Sequence, residues 1–213
     1  MEILLQEIVP TYFERQQISG SEIWGKNIAF TKGDHVHIVA PSGSGKTSLI
    51  HFLYGLRKDY EGTISYQKEN IKNFSLEKFS TSRQKNLSIV FQDLRLFTEQ
   101  TVRENIEIKR QLNPYHPPQK IDEMAERLGI ANKLNRLAKT CSYGEQQRIA
   151  IIRSLMQPFD FLLLDEPFSN LDEKNRRKAF ELIAEECKQR NASMIFADLK
   201  ELDFFIGQRI LKL

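Results

Sequence analysis

Ala40, Pro41, Ser42, Gly43, Ser44, Gly45, Lys46, Thr47 and Ser48 form a run whose residue types could hold a phosphate chain. It nearly matches G-x-x-x-x-G-K-[ST], with Ala40 where the first glycine belongs. Gly43 and Gly45 let backbone N–H groups turn inward around phosphate oxygens, and a helix starting near Lys46 points its positive end at them. Lys46 is expected to reach the β and γ phosphates of a nucleotide, and the Thr47 hydroxyl to bind Mg²⁺. A small-residue turn before a helix is the plainer reading of such a run, but a strand ahead of it and a full Gly-Lys-Thr favour the cradle. Alanine at 40 matters only where the backbone needs a positive φ, so at a strand end it is expected to be tolerated.

Two further groups carry chemistry. Residues 161–164 are a continuous apolar run closed by Asp165 and Glu166, which puts two carboxylates at the end of a buried strand. Asp165 is placed there to hold Mg²⁺ directly or through water. Ser142, Tyr143, Gly144, Glu145, Gln146, Gln147 and Arg148 make the other group. Ser142 can N-cap a helix beginning near Glu145, whose dipole then faces an anion.

These groups need rigid carriers. Residues 35–40 read as a strand entering the glycine loop and 46–56 as the helix after it. Residues 121–128 and 145–156 carry apolar residues at helical spacing. Residues 193–197 read as another strand, and 174–190 as an amphipathic crossover helix with Phe180, Ile183, Ala184 and Cys187 on one face. Strand, helix, strand in that order means an α/β layer with a parallel sheet. Residues 113–118 (Asn, Pro, Tyr, His, Pro, Pro) break both periodicities and are expected to join subdomains.

Composition narrows the class. With 213 residues, 40% hydrophobic and 28% charged, the chain can bury a real core. Its 31 basic and 28 acidic residues leave +3, spread along the chain, so nucleic acid is not expected as a partner. Cys141 and Cys187 fit no zinc or redox spacing and suggest a reducing, cytosolic setting. No apolar stretch approaches the roughly 20 residues that span a bilayer, and Glu2 and Glu7 stand where a signal peptide would be basic. Membrane association is therefore expected only through a partner.

The ordered run over residues 142–172, ending Ser169, Asn170, Leu171, Asp172, resembles the signature motif, Walker B strand and D-loop of ATP-binding cassette proteins. Ile89, Val90, Phe91, Gln92, Asp93, Leu96 and Phe97, followed by Thr101, Val102, Arg103, Glu104, Asn105 and Ile106, resemble the Q-loop region of the same family. The likeness spans about residues 24–213 and is to the nucleotide-binding subunits of ABC transporters. It implies an α/β fold: a P-loop NTPase core with a mostly parallel sheet, an N-terminal antiparallel β subdomain and an inserted α-helical signature subdomain. Residues 1–92 and 157–213 would form the core and about 93–156 the Q-loop and helical part. Residues 209–213 look like the last core strand, with no appended regulatory domain expected.

The resemblance also assigns roles. Ser42, Gly43, Ser44, Gly45, Lys46, Thr47 and Ser48 would bind ATP, and Thr47, Gln92 and Asp165 would hold Mg²⁺. Glu166 would be the general base, with Gln92 and Lys46 completing the catalytic set. Ser142, Gly144 and Glu145 would face the ATP of a second subunit, with Asp172 in the D-loop, so that a homodimer or heterodimer sandwiches two nucleotides. Residues 93–100 would face an integral membrane permease, giving a peripheral location on the inner face of the cell membrane. An early-loop aromatic stacks on adenine in the family, and Tyr12 and Phe13 are both candidates, as each is for a core role.

Two positions depart from the pattern. Tyr143 replaces the first glycine of L-S-G-G-Q-x-Q-R and Glu145 its glutamine; the Tyr143 ring either crowds the phosphate or points away. Ala197 stands where the family has a histidine, and the sequence puts none of the four histidines (His35, His37, His51, His116) near it. Losing one preorganised donor costs about 2.7 to 4 kcal/mol of transition-state stabilisation. The leading expectation is an ATPase that drives a separate membrane subunit. The alternatives are a slowly hydrolysing regulatory clamp and a soluble cassette ATPase acting on a non-membrane assembly.

Overall fold

The computed structural model describes residues 1–205 and 209–213. In chain order these form β1 (Glu2–Pro10), α1 (Arg15–Ile18), β2 (Asn27–Thr31), β3 (His35–Val39), α2 (Lys46–Leu53), β4 (Tyr60–Tyr66), β5 (Glu69–Asn70), α3 (Leu76–Lys85), β6 (Leu87–Val90), α4 (Val102–Leu112), α5 (Gln119–Arg127), α6 (Tyr143–Leu155), β7 (Phe161–Asp165), α7 (Glu173–Arg190), β8 (Ser193–Asp198) and β9 (Arg209–Lys212). The strands make two sheets. One is antiparallel, in the order β2-β1-β4-β5, and the other is parallel, in the order β6-β7-β8-β3-β9.

The parallel sheet is covered on both faces, which is why β7 is apolar at every position before its final acid. Alternation along the strands sends side chains to two cores. Phe161, Leu163, Ile195 and Ala197 join α2 and the antiparallel sheet. Leu162, Leu164, Met194 and Phe196 join α4, α5, α6 and α7. Because the strands run the same way, their carboxyl ends line up, and those ends carry Ala40, Gln92, Asp165 with Glu166, and Asp198.

The break at residues 113–118 lies between α4 and α5, whose apolar residues share one core with α6. It is thus a corner within the helical region and does not join subdomains, contrary to the expectation from sequence. Prolines end one helix and start the next, while the Tyr115 N–H donates to the Met156 carbonyl (3.3 Å) and His116 meets Glu186 (2.7 Å) on α7. Helix α2 stops at Leu53, shorter than its apolar pattern suggests, because Gly55 turns with φ +67°. Helix α6 starts two residues earlier than expected, at Tyr143, since the Ser142 hydroxyl accepts from the Glu145 N–H (3.3 Å).

Candidate functional site

The cradle forms between β3 and α2. Gly43 (φ +82°) and Gly45 (φ +93°) both occupy the left-handed region that side chains avoid. Gly45 has a second reason to lack a side chain: a Cβ would meet the Phe13 ring at 2.8 Å and the Trp24 ring at 3.0 Å. The Trp24 indole N–H donates to the Ser44 carbonyl (3.2 Å), and the Ser44 hydroxyl to the Pro41 carbonyl (2.8 Å), so the loop is pinned from behind. Ala40 keeps a negative φ and its N–H donates to the Asp198 carbonyl (3.1 Å), so alanine brings no strain here.

Four side chains from three parts of the chain close on one another at the mouth of this loop. The Lys46 ammonium is buried, donates to the Ala40 (3.0 Å) and Pro41 (2.9 Å) carbonyls, and lies 3.4 Å from Glu166 Oε1. The Thr47 hydroxyl donates to Gln92 Oε1 (3.2 Å), whose amide N–H donates to Glu166 Oε2 (3.4 Å). Glu166 sits at φ +46°, a strained conformation for a residue with a Cβ, just past β7. Thus Lys46, Thr47, Gln92 and Glu166 are brought together.

Asp165 is fully buried beside them, and neither carboxylate oxygen has a hydrogen-bond partner among the described residues. Burial pushes its pKa up to about 6; the Thr47 hydroxyl and Lys46 oppose this, and the Glu166 charge adds to it. A buried, unpartnered carboxylate beside a threonine hydroxyl and a glutamine amide oxygen is an all-oxygen donor set of the kind a hard divalent cation takes. The residues present therefore fit Mg²⁺.

Two hollows flank Lys46 and Thr47. A cleft of about 270 Å³ is lined by Tyr12, Phe13, Ser42, Gly43, Gly45, Lys46, Thr47, Ser48, Gln92 and Glu166. A second, of about 410 Å³, is lined by Thr47, His51, Gln92, Asp93, Tyr143 and Asp165. Tyr12 is half exposed at the mouth of the first, its hydroxyl bonded to that of Ser48 and the Arg57 guanidinium 5.1 Å from its ring centre. Phe13 lies deeper, edge-on to Trp24 and behind Gly45. Tyr12 is thus half exposed with Arg57 over its ring and Phe13 edge-on to it at 5.3 Å, whereas Phe13 is packing.

At the start of α6, Ser142 and Glu145 form a reciprocal capping box. The Glu145 carboxylate accepts from the Ser142 N–H (2.8 Å) and pairs with Lys133 (3.1 Å), so it is turned onto its own helix. A Cβ on Gly144 would stand 2.8 Å from the Asn170 carbonyl, so there is no room for a side chain at this position. The Tyr143 ring points away from the helix end: its hydroxyl donates to the Gln92 carbonyl of the same chain (3.2 Å). Asp172 caps α7, accepting from the Asn175 N–H (2.8 Å).

Two contributors escape a reading of the sequence. Gln147 is buried in α6, donates to the Glu166 carbonyl (3.1 Å) and the Ser169 hydroxyl (3.3 Å), and accepts from the Asn170 N–H (3.0 Å). A glutamine on the apolar face of a helix is the signal that could have found it. His51 lines the cavity of Asp165, and its four-residue spacing from Thr47 on α2 puts both on one helix face. Ala197 is fully buried and in register with Asp165. Its neighbouring strand holds His37, which stacks on Phe196 at 3.9 Å in the other core; burial pushes its pKa down to about 4, so it is a neutral packing group. Among the described residues no helix is long and apolar enough to cross a membrane.

The family described as ABC transporter matches residues 25–169. A lipoprotein-releasing system ATP-binding protein, LolD, from Legionella pneumophila is 34% identical over 174 residues, covering 80% of this chain and 77% of that protein. An aliphatic sulfonates import ATP-binding protein, SsuB, from Bacillus cereus is 33% identical over 204 residues, covering 95% and 77%. The dimeric structure of a bacterial ABC transporter cassette, MJ0796, superimposes with a TM-score of 0.82 at 25% identity over 99% of this chain and 94% of that one.

Proposed function

The chain belongs to the ABC transporter family, and from that membership we propose that it is the ATP-hydrolysing subunit of a transporter whose membrane-spanning part is a separate chain. The observation that carries this reading is the ring of contacts Thr47–Gln92–Glu166–Lys46 beside the glycine cradle. It holds a base, a cation and a polar sensor within reach of one phosphate.

In this mechanism the amides of residues 42–47 and the start of α2 bind the β and γ phosphates. Lys46 exchanges its two carbonyl partners for phosphate oxygens and keeps its charge against the transferring group. Thr47, Asp165 and Gln92 would hold Mg²⁺, which when bound neutralises charge on the β and γ oxygens. Glu166 orients a water in line with the γ phosphorus. As the water oxygen bonds to phosphorus and the bond to the ADP oxygen breaks, Glu166 Oε takes the water's proton. Gln92 fixes that carboxylate through its amide N–H.

The partners follow the same reading: ATP, a second cassette subunit whose signature helix covers this nucleotide, and an integral membrane permease. The chain would act on the cytoplasmic side, peripheral to the membrane. One observation favours a second reading, a slowly turning clamp whose closure itself signals: Ala197 is buried in register with Asp165 and supplies no donor to the γ phosphate.

The test is purification from native membranes with associated chains, followed by an ATPase assay on the complex. Hydrolysis that falls roughly a hundredfold or more in Glu166→Gln, with ATP still bound, supports the reading. A soluble monomer with neither a membrane companion nor hydrolysis overturns it.

A further inference from the structure

The signature helix grips the Q-loop of its own chain at both ends. At its first residue the Tyr143 hydroxyl donates to the Gln92 carbonyl (3.2 Å). Near its last turn Arg153 donates to the Arg95 carbonyl (2.7 Å) and to the Leu94 carbonyl. Leu94 (φ +58°) and Arg95 (φ +48°) are consecutive non-glycine residues in the left-handed region, so the loop is a tight, strained turn that these donors hold in place. Arg153 is half-buried, and its acceptors here are the loop carbonyls of Leu94 and Arg95.

Tyr143 differs from Arg153 in where it sits. It is the first residue of α6, so its backbone N–H belongs to the helix end that lacks intrahelical acceptors, while its side chain reaches back into the cavity of Thr47, Gln92 and Asp165. One residue therefore has a main chain at the anion-facing helix end and a hydroxyl on the loop that carries Gln92.

We propose that Tyr143 is a positioning residue that couples the signature helix to Gln92 of the same subunit, so that docking of α6 on a second subunit's nucleotide sets the glutamine at this subunit's own. This rests on the functional reading given above. A glycine at 143 could offer the backbone contact alone; tyrosine adds the link between the two nucleotide sites. Displacement of the helix end would pull on the Gln92 carbonyl, and the side chain of Gln92, held between Thr47 and Glu166, would move with it.

The experiment compares the native chain with Tyr143→Phe, which keeps the ring and loses the hydroxyl, and Tyr143→Gly. Amide hydrogen exchange of residues 91–95 without nucleotide should quicken roughly two- to tenfold in both variants, the loss expected for one neutral hydrogen bond, while exchange in α2 stays as it was. Steady-state hydrolysis should show kcat lowered by a similar factor with KM for ATP nearly unchanged, and dependence on ATP less cooperative. A purely structural role would instead lower thermal stability and quicken exchange in α2 as well. Unchanged exchange at residues 91–95 in both variants overturns the contact, and raised KM at unchanged kcat overturns the coupling. The exchange measurement needs neither ATP nor a partner. If residues 91–95 loosen while the native chain hydrolyses nothing, it is the functional reading that has failed, and the coupling role goes with it.

Discussion

The backbone N–H of Glu166 donates to the carbonyl of Ala197 at 2.9 Å, so the proposed base is anchored on the residue that stands where the family has a histidine. Anchor and missing donor are one position, and the anchor uses only its main chain. Ala197→His therefore leaves the Glu166 contact intact. We expect kcat to rise at least tenfold, within the range that one preorganised donor supplies. The variant should lose about 1 to 3 kcal/mol of stability from overpacking a fully buried site, read by thermal melting beside steady-state hydrolysis. A folded variant with unchanged kcat would mean that another group already serves.

Asp165 should make the nucleotide-free protein more stable in acid than in base at this one site. Its folded-state pKa is raised from 3.8 to about 6. Its contribution is therefore fully present below pH 3.8 and is lost as pH rises through about 6. At neutral pH and above, the buried carboxylate costs up to about 3 kcal/mol. Asp165→Asn is expected to raise the melting temperature above neutrality, to leave it unchanged near the acid end, and to abolish stabilisation by Mg²⁺ with ATP. Equal melting curves for both proteins at every pH would contradict this.

Tyr12 and Phe13 should separate binding from folding. Tyr12→Ala is expected to weaken ATP by roughly five- to a hundredfold, the value of one base stacked on an aromatic ring, with little change in melting temperature. Phe13→Ala should instead destabilise the chain by about 2 kcal/mol, since its ring fills the space behind Gly45 and against Trp24. Titration with a fluorescent ATP analogue and a melt on each variant decide the matter.

Gly144→Ala should harm the join between the signature helix and the D-loop. The added methyl would stand 2.8 Å from the Asn170 carbonyl, a main-chain atom that cannot swing aside. We expect a loss of about 1 to 3 kcal/mol and faster hydrogen exchange at residues 169–172, with exchange in α2 unaffected.

Much of this was legible in the residues. β7 could be found because a run of only four apolar residues, 161–164, closed by two acids fits a short strand covered on both faces, as its burial then shows. The cradle was legible because its glycines answer local backbone demands. What stayed hidden depends on distance along the chain. Gln147 meets Glu166 across 19 residues and Tyr143 meets Gln92 across 51, and no local pattern records either contact. The corner at residues 113–118 misleads for a related reason: proline marks a break, while only packing decides whether the flanking helices share a core.

Trp24 is the only tryptophan in the chain, and its indole N–H rests on the Ser44 carbonyl inside the glycine cradle. Any rearrangement of that loop alters the polarity around the one indole, which can be excited apart from the six tyrosines. The protein thus carries a built-in optical gauge at the phosphate site, by which nucleotide arrival and departure can be timed by stopped flow without a label.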